Sequence, residues 1–176
     1  VVARFRAAQY DYEPAAVLAT LCDAFIPDAT VHLATPFEDL AGPQGLYEAA
    51  YEPLKRALPD LERRDTIVMA GKGAMGNDWV GCCGYYTGTF MRPWLDIAPT
   101  GHQAAMRFHE FYRLVDGKVV EMQALWDIPE LMMQAGAWPM APSLGREWQV
   151  PSPATQDGII GSHYDEVQAL RSRQLV

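Results

Sequence analysis

The run from Met106 to Gly136, MRFHEFYRLVDGKVVEMQALWDIPELMMQAG, leaves a folding chain few options. Two apolar-rich segments flank Asp116-Gly117, and both of those positions accept the positive φ that a two-residue hairpin turn requires. Val115 then pairs with Lys118, and a regular register follows. It puts Met106, Phe108, Glu110, Tyr112, Leu114, Val119, Glu121, Gln123, Leu125 and Asp127 on one face of a sheet. Arg107, His109, Phe111, Arg113, Val120, Met122, Ala124 and Trp126 fall on the other. Neither face is cleanly polar. The first suits a largely apolar pocket with a few aimed polar groups, while Phe111, Met122 and Trp126 on the second need a cover of their own.

Around this hairpin the chain alternates helical and extended patterns. Alanine-rich AAVLATLCDAF, entered through Pro14 and stopped by Pro27, predicts a helix near residues 14 to 26, with ARFRAAQY before it adding a turn or two. Thr30 to Thr35 alternates like a strand up to Pro36. GPQGLYEAAYEPLKRAL from Gly42 to Leu58 has helical spacing, with a kink or break expected at Pro53. Asp65 to Ala70 is β-branched and short. Trp79 to Phe90 is a long strand whose Gly81, Gly84 and Gly88 suggest bulges or a bend. Arg92 to Gly101 is a turn-rich loop, and Gln103 opens the last hairpin. The order predicts an α+β fold with helices gathered on one face of a curved antiparallel sheet.

Residues 1–138 are expected to form one domain, and residues 139–176 a Pro-rich arm ending in a short helix. That arm should run extended over its own domain or a partner's, covering Trp138 and Trp148. A length of 176 residues with 49% hydrophobic content suffices for a real core. The net charge of -8 argues against nucleic acid, which requires a basic face. No apolar run reaches the ~18 residues that span a bilayer, and no signal-peptide pattern opens the chain, so a cytoplasmic protein is expected. Cys22, Cys82 and Cys83 read as small reduced hydrophobes rather than a disulfide framework or a zinc site.

HLATPFEDLAGPQGLYEAAYEPLKRALPDL together with APTGHQAAMRFHEFYRLVDGKVVEMQALWDIPELMMQAG resembles the SnoaL-like polyketide cyclase family of the NTF2-like superfamily. The shared elements are a His near the first strand followed by Pro-Phe, a helix ending in P-D-L, a T-G before the penultimate strand, Y-R-x-x-D-G-K at the turn, W-D after the last strand and a closing Q-x-G. The resemblance implies an α+β cone, dimerisation through the outer sheet face, and catalysis with neither metal nor organic cofactor. Polyketide-cyclising members perform an intramolecular aldol reaction with one Asp as general acid/base in an apolar pocket, and the matching residue is Asp127. Where family members often carry a Trp four residues before that Asp, this chain has Gln123, and Trp126 stands directly beside Asp127 instead.

Asp127 is also a good N-cap for IPELMMQ, with Pro129 in the first turn, and both roles are compatible. Glu110 shares its face in the simple register and is a second acid/base or hydrogen-bonding candidate. A one-residue bulge would exchange Glu110 for His109, so His109 stays a candidate as well. His32, at the pocket end of the first strand, and Gln123 are candidates to hold a substrate carbonyl. Phe108, Leu125, Trp126 and Tyr86 supply apolar wall for a flat or aromatic ligand. No H-x-x-H, H-E-x-x-H or Cys/His spacing marks a metal site, and no G-x-S-x-G marks a serine nucleophile.

The leading expectation is a cofactor-free cyclase or isomerase acting by acid/base catalysis on a carbonyl-rich, polyketide-like molecule. The alternative is a non-catalytic small-molecule-binding or dimeric scaffold protein. A sealed cavity with Asp127 serving only as a cap would favour that alternative. Epoxide hydrolysis needs an Arg set between two carboxylates, and in the simple register Arg107 and Arg113 lie on the wrong face for it.

Overall fold

A computed structural model describes residues 1–73, 75–141, 144–145 and 165–175. Helices α1 (Ala3–Tyr10) and α2 (Pro14–Ala24) lead into strand β1 (Phe25–Leu33) and the short β2 (Asp39–Ala41). Helix α3 (Gly42–Leu46), a π-helical turn (Tyr47–Tyr51) and α4 (Glu52–Ala57) form one run without the break expected at Pro53. The wider π turn ends just before Pro53, where a residue without an N–H is tolerated. Then come β3 (Glu62–Lys72), β4 (Asp78–Thr89), β5 (Gln103–Val115), β6 (Lys118–Trp126), α5 (Ile128–Gln134) and α6 (Glu166–Gln174).

The six strands make one curved, unclosed sheet in the order β2-β1-β6-β5-β4-β3. It is antiparallel except where β1 runs parallel to β6, a pairing that the long intervening chain permits. The inward face and the helices share one core. Val17, Leu21, Leu46, Ala50, Tyr51 and Leu54 from the helices meet Val31, Val119, Met122, Phe108 and Tyr112 from the strands, all at 1% exposure or less.

The turn at Asp116-Gly117 forms as its chemistry dictates, with φ of 47° and 73° and Val115 opposite Lys118. Beyond the turn the simple register fails. Leu114 pairs with Val119 but Arg113 pairs with Glu121, so Val120 is an extra, bulged residue and the rest of β6 is flipped. Met122 and Trp126 therefore point inward beside Phe108 and Glu110, while Gln123 and Leu125 turn outward beside His109 and Phe111. One unpaired residue is a small loss against the burial of a Met and a Trp, each worth about 2 kcal/mol or more.

A second bulge, in β3, lies between Asp65 and Ile67, next to Gly84. A Cβ on Gly84 would sit 2.0 Å from the Arg64 carbonyl oxygen, so only glycine lets the strands approach there. Much of the expected Pro-rich arm, with Pro142, Pro151, Pro153 and Trp148, lies outside the described residues. Trp138 is half-buried, and the short C-terminal helix is present as α6. No helix among the described residues is long and apolar enough to cross a membrane.

Candidate active site

At the centre of the inward face sits a carboxylate. Glu110 is wholly buried, and each of its oxygens accepts two hydrogen bonds. Tyr86 Oη (2.8 Å) and Trp126 Nε1 (3.0 Å) donate to Oε1, while Arg63 Nη1 (2.6 Å) and Tyr112 Oη (2.5 Å) donate to Oε2. A buried charge is tolerated only when paired and hydrogen-bonded in this way. Arg63 is equally buried. Its Nη1 also donates to Tyr86 Oη (3.0 Å) and to Gln9 Oε1 (3.1 Å), and its Nε donates to Asp65 Oδ1 (3.1 Å). The guanidinium stacks 4.2 Å from the Phe108 ring centre. Asp65 Oδ2 accepts in turn from Arg6 Nε at 2.9 Å. The order from surface to centre is thus Arg6, Asp65, Arg63, Glu110.

Aromatic rings fill the space around this chain of charges. Tyr86 lies 4.7 Å from Phe108, 5.1 Å from Trp126 and 6.1 Å from Tyr51 between ring centres. Phe37 and Trp94 continue the series outward from Trp126. Burial and then the Glu110 charge push the Tyr86 and Tyr112 hydroxyls well above the ordinary tyrosine value, and burial raises Tyr51 and Tyr12 too. Burial works against the charge on Arg63, but Glu110 overrides it and drives its pKa up. The buried Cys82 thiol is pushed up to about 12 by burial, so it stays protonated and unreactive.

The tyrosines give a pH dependence with a definite sign. Each phenol holds its proton more tightly folded than unfolded, so above the ordinary value of 10.0 the unfolded chain sheds protons that the folded chain keeps. Stability from this source is intact below that pH and is lost as pH rises beyond it. Urea midpoints should therefore begin to fall near about pH 10 and keep falling as the pH rises further. A flat profile there would mean that the phenols are not held in this network.

Of the residues singled out in the sequence, the structure brings Glu110, Phe108, Trp126 and Tyr86 together inside the cone. Asp127 follows Trp126 at the end of β6. Its backbone N–H donates to the Arg107 carbonyl (2.8 Å), and its Oδ1 accepts from Glu130 N (3.2 Å), capping α5. It is half-buried, and its Oδ2 takes no hydrogen bond or ion pair among the described residues. His32, His109, Gln123 and Leu125 converge elsewhere, around an open groove of about 580 Å³ on the outer sheet face, with Phe111 beside them. There His32 Nδ1 lies 2.6 Å from Asp39 Oδ1. The same bulge at Val120 accounts for the outward turn of Gln123 and Leu125 and for the inward turn of Trp126.

Arg63, Gln9, Asp65, Tyr51 and Tyr112 were not recognised in the sequence as site residues. The one local trace of Arg63 and Asp65 is the spacing R-x-D in a strand, which puts both on one face but does not say which.

The SnoaL-like polyketide cyclase family model matches residues 14–135. The chain belongs to that family. Its fold is similar to that of AclR, a candidate hydroxylase from Streptomyces galilaeus, with a TM-score of 0.64 at 22% identity over 80% of this chain and 85% of that one. It is similar also to IdmH, a candidate polyketide cyclase from Streptomyces antibioticus, with a TM-score of 0.60 at 22% identity over 75% and 96% of the two chains. A third neighbour is TerC co-crystallised with polyporic acid, at 16% identity and a TM-score of 0.56 over 77% and 95%. No curated protein matches the sequence.

Proposed function

We propose that this family member is a cofactor-free acid/base catalyst of the cyclase or isomerase type, acting on an aromatic, carbonyl-rich small molecule. Asp127 is its proton-transfer group. The observation that carries this reading is the unequal occupancy of the two candidate carboxylates. Glu110 has both oxygens filled by four donors, so taking up a proton would break a hydrogen bond to a buried group. Asp127 has one oxygen engaged as a cap and the other unengaged among the described residues. Glu110 then positions the aromatic wall, holding the Tyr86 and Tyr112 rings and the indole of Trp126, the residue next to Asp127. The ring-lined interior, and the co-crystallisation of TerC with polyporic acid, both favour a flat aromatic ligand. The deciding experiment is the Asp127→Asn substitution, argued in the Discussion.

A second reading is favoured by one observation. Arg63 Nε and Nη1 link the carboxylates of Asp65 and Glu110, the acid–guanidinium–acid order that epoxide hydration requires. In that chemistry Glu110 would have to exchange a tyrosine donor for a water. Turnover of styrene oxide to the diol that Arg63→Met abolishes and Asp127→Asn leaves intact would favour hydration over the cyclase reading.

We also propose that the protein is a homodimer. Met122 and Trp126 are inside the cone and do not contribute to the outer apolar face, but Ile67 (44% exposed), Met69 (58%), Phe111 (45%) and Leu125 (58%) remain on it. Phe111 and Met69 both crowd Gly81, so the patch is continuous. Light scattering should give a mass near twice that of one chain, and Phe111→Glu with Leu125→Glu should reduce it to one. A single-chain mass for the unsubstituted protein would defeat the dimer.

A further inference from the structure

Among the described residues, aromatic rings crowd the inward face around Glu110, and the reading above needs a ligand to reach it. Among the described residues, the unsatisfied buried polar atoms over the network gather at α1. It buries Phe5 and Gln9 completely, with Phe5 edge-on to Phe25 (6.0 Å) and Tyr112 (5.5 Å) and with Gln9 Oε1 accepting from Arg63. Around those two anchors the fit is incomplete. Four side-chain N or O atoms among the described residues are buried without a hydrogen bond, and three of them, Gln9 Nε2, Tyr12 Oη and Arg63 Nη2, lie in α1, in its link to α2 and directly beneath it. Arg63 Nη2 does lie 3.0 Å from Asp65 Oδ1, which gives it an ion pair without hydrogen-bond geometry.

An open surface groove of about 170 Å³ runs between α1 and β3, lined by Ala3, Arg6, Ala7 and Tyr10 on one side and Arg63 to Asp65 on the other, and the Arg6–Asp65 ion pair crosses it. The helix is weak in its own right. No side chain caps its N-terminus, and its charged first-turn residues Arg4 and Arg6 are held by ion pairs to Asp23 (2.8 Å) and Asp65 (2.9 Å) outside the helix rather than by the helix itself. Helix α2, in contrast, has its own cap, since Glu13 accepts from Ala15 N and Ala16 N and Pro14 opens the first turn. Undocking of α1 about Asp11 to Glu13 therefore leaves α2 intact.

We propose that α1 is a displaceable plug whose Phe5 ring and Gln9 carbonyl oxygen occupy the place of an aromatic ketone, which enters against Arg63 when the helix swings away. The ring of the ligand takes the edge-on contacts of Phe5 with Phe25 and Tyr112, and its carbonyl oxygen takes the Arg63 Nη1 hydrogen bond of Gln9. The site favours a neutral acceptor, because once α1 carries Arg6 away the Glu110 and Asp65 carboxylates outnumber the Arg63 charge and an anionic ligand would be repelled. The ligand class rests on the proposed function; the mobility of α1 does not.

Hydrogen exchange on the full chain tests the helix alone. Without ligand, amides of residues 3–10 should exchange at least about tenfold faster than those of residues 14–24, a sign of separate local opening. Equal protection of the two helices overturns the plug whatever the chemistry of the site. With 2-acetylnaphthalene as probe, binding should speed exchange in residues 3–10 and hasten trypsin cleavage after Arg4 and Arg6. The double variant Phe5→Ala, Gln9→Ala should bind the probe roughly tenfold tighter, because the open state is then more populated. Binding that protects α1, or a folded double variant that binds no better, overturns the exchange of plug for ligand. Fast opening of α1 with no probe bound by either form retains a mobile helix and rejects the ketone site.

Discussion

Replacing Asp127 with Asn should leave the fold intact and lower turnover of the true substrate roughly 10²- to 10⁴-fold, the usual worth of a positioned acid/base group. Asn has nearly the same volume and still offers a side-chain oxygen to Glu130 N, so the cap on α5 persists and stability should change by less than about 1 kcal/mol. What the amide cannot do is accept a proton at neutral pH. Asp127→Ala serves as the control for the cap, since it loses both functions and should cost about 1 kcal/mol of stability in addition. Thermal melts of the two variants beside their rates separate the roles. Activity of Asp127→Asn close to that of the unsubstituted protein would remove Asp127 from the chemistry. Losses that merely track stability would make it a cap and nothing more, and would favour a binding or scaffolding protein.

The elements were legible because their signals are local. Asp116-Gly117 fixed the hairpin turn, and the helices and long strands follow from periodicity and from Pro and Gly positions that act within a few residues. The face of β6 was not legible, because a bulge is a compromise between ladder pairing and burial. In KVVEMQALW, strict alternation from the turn puts Glu121 and Gln123 inward, whereas skipping Val120 buries Met122 and Trp126, and only the packing of the whole cone shows that burial prevails.

The same bulge explains the division of the candidate site. Glu110 was found because β5 is regular through that residue, so its side of the sheet follows from the turn. Gln123 was put on the pocket face by the simple register and His109 was kept as a candidate by a possible bulge, and both belong to the outer groove. Arg63 and Gln9 were invisible for a different reason. Arg63 meets Glu110 across 47 residues of sequence and Gln9 meets Arg63 across 54, and no local pattern announces that a buried cation will be supplied by a distant strand and steadied by an N-terminal helix.

The largest effect on stability should come from breaking the central ion pair on one side only. In Glu110→Leu the Arg63 guanidinium, fully buried and drawn strongly toward its charged form, keeps only Asp65 as a counter-charge. Tyr86, Tyr112 and Trp126 lose their shared acceptor at the same time. Removing one partner of a buried ion pair costs about 3–5 kcal/mol, a large share of the stability of a domain this size. Arg63→Met alone strands the Glu110 charge but leaves its three neutral donors in place, so its cost should be smaller. The double variant, with neither charge, should be more stable than Glu110→Leu by about 1 kcal/mol or more, because two residues in direct contact are not additive. Urea unfolding of the four proteins measures that coupling. Additive losses would mean that the two side chains do not share one buried network, and the assignment of Glu110 as the anchor of the aromatic wall would fall with it.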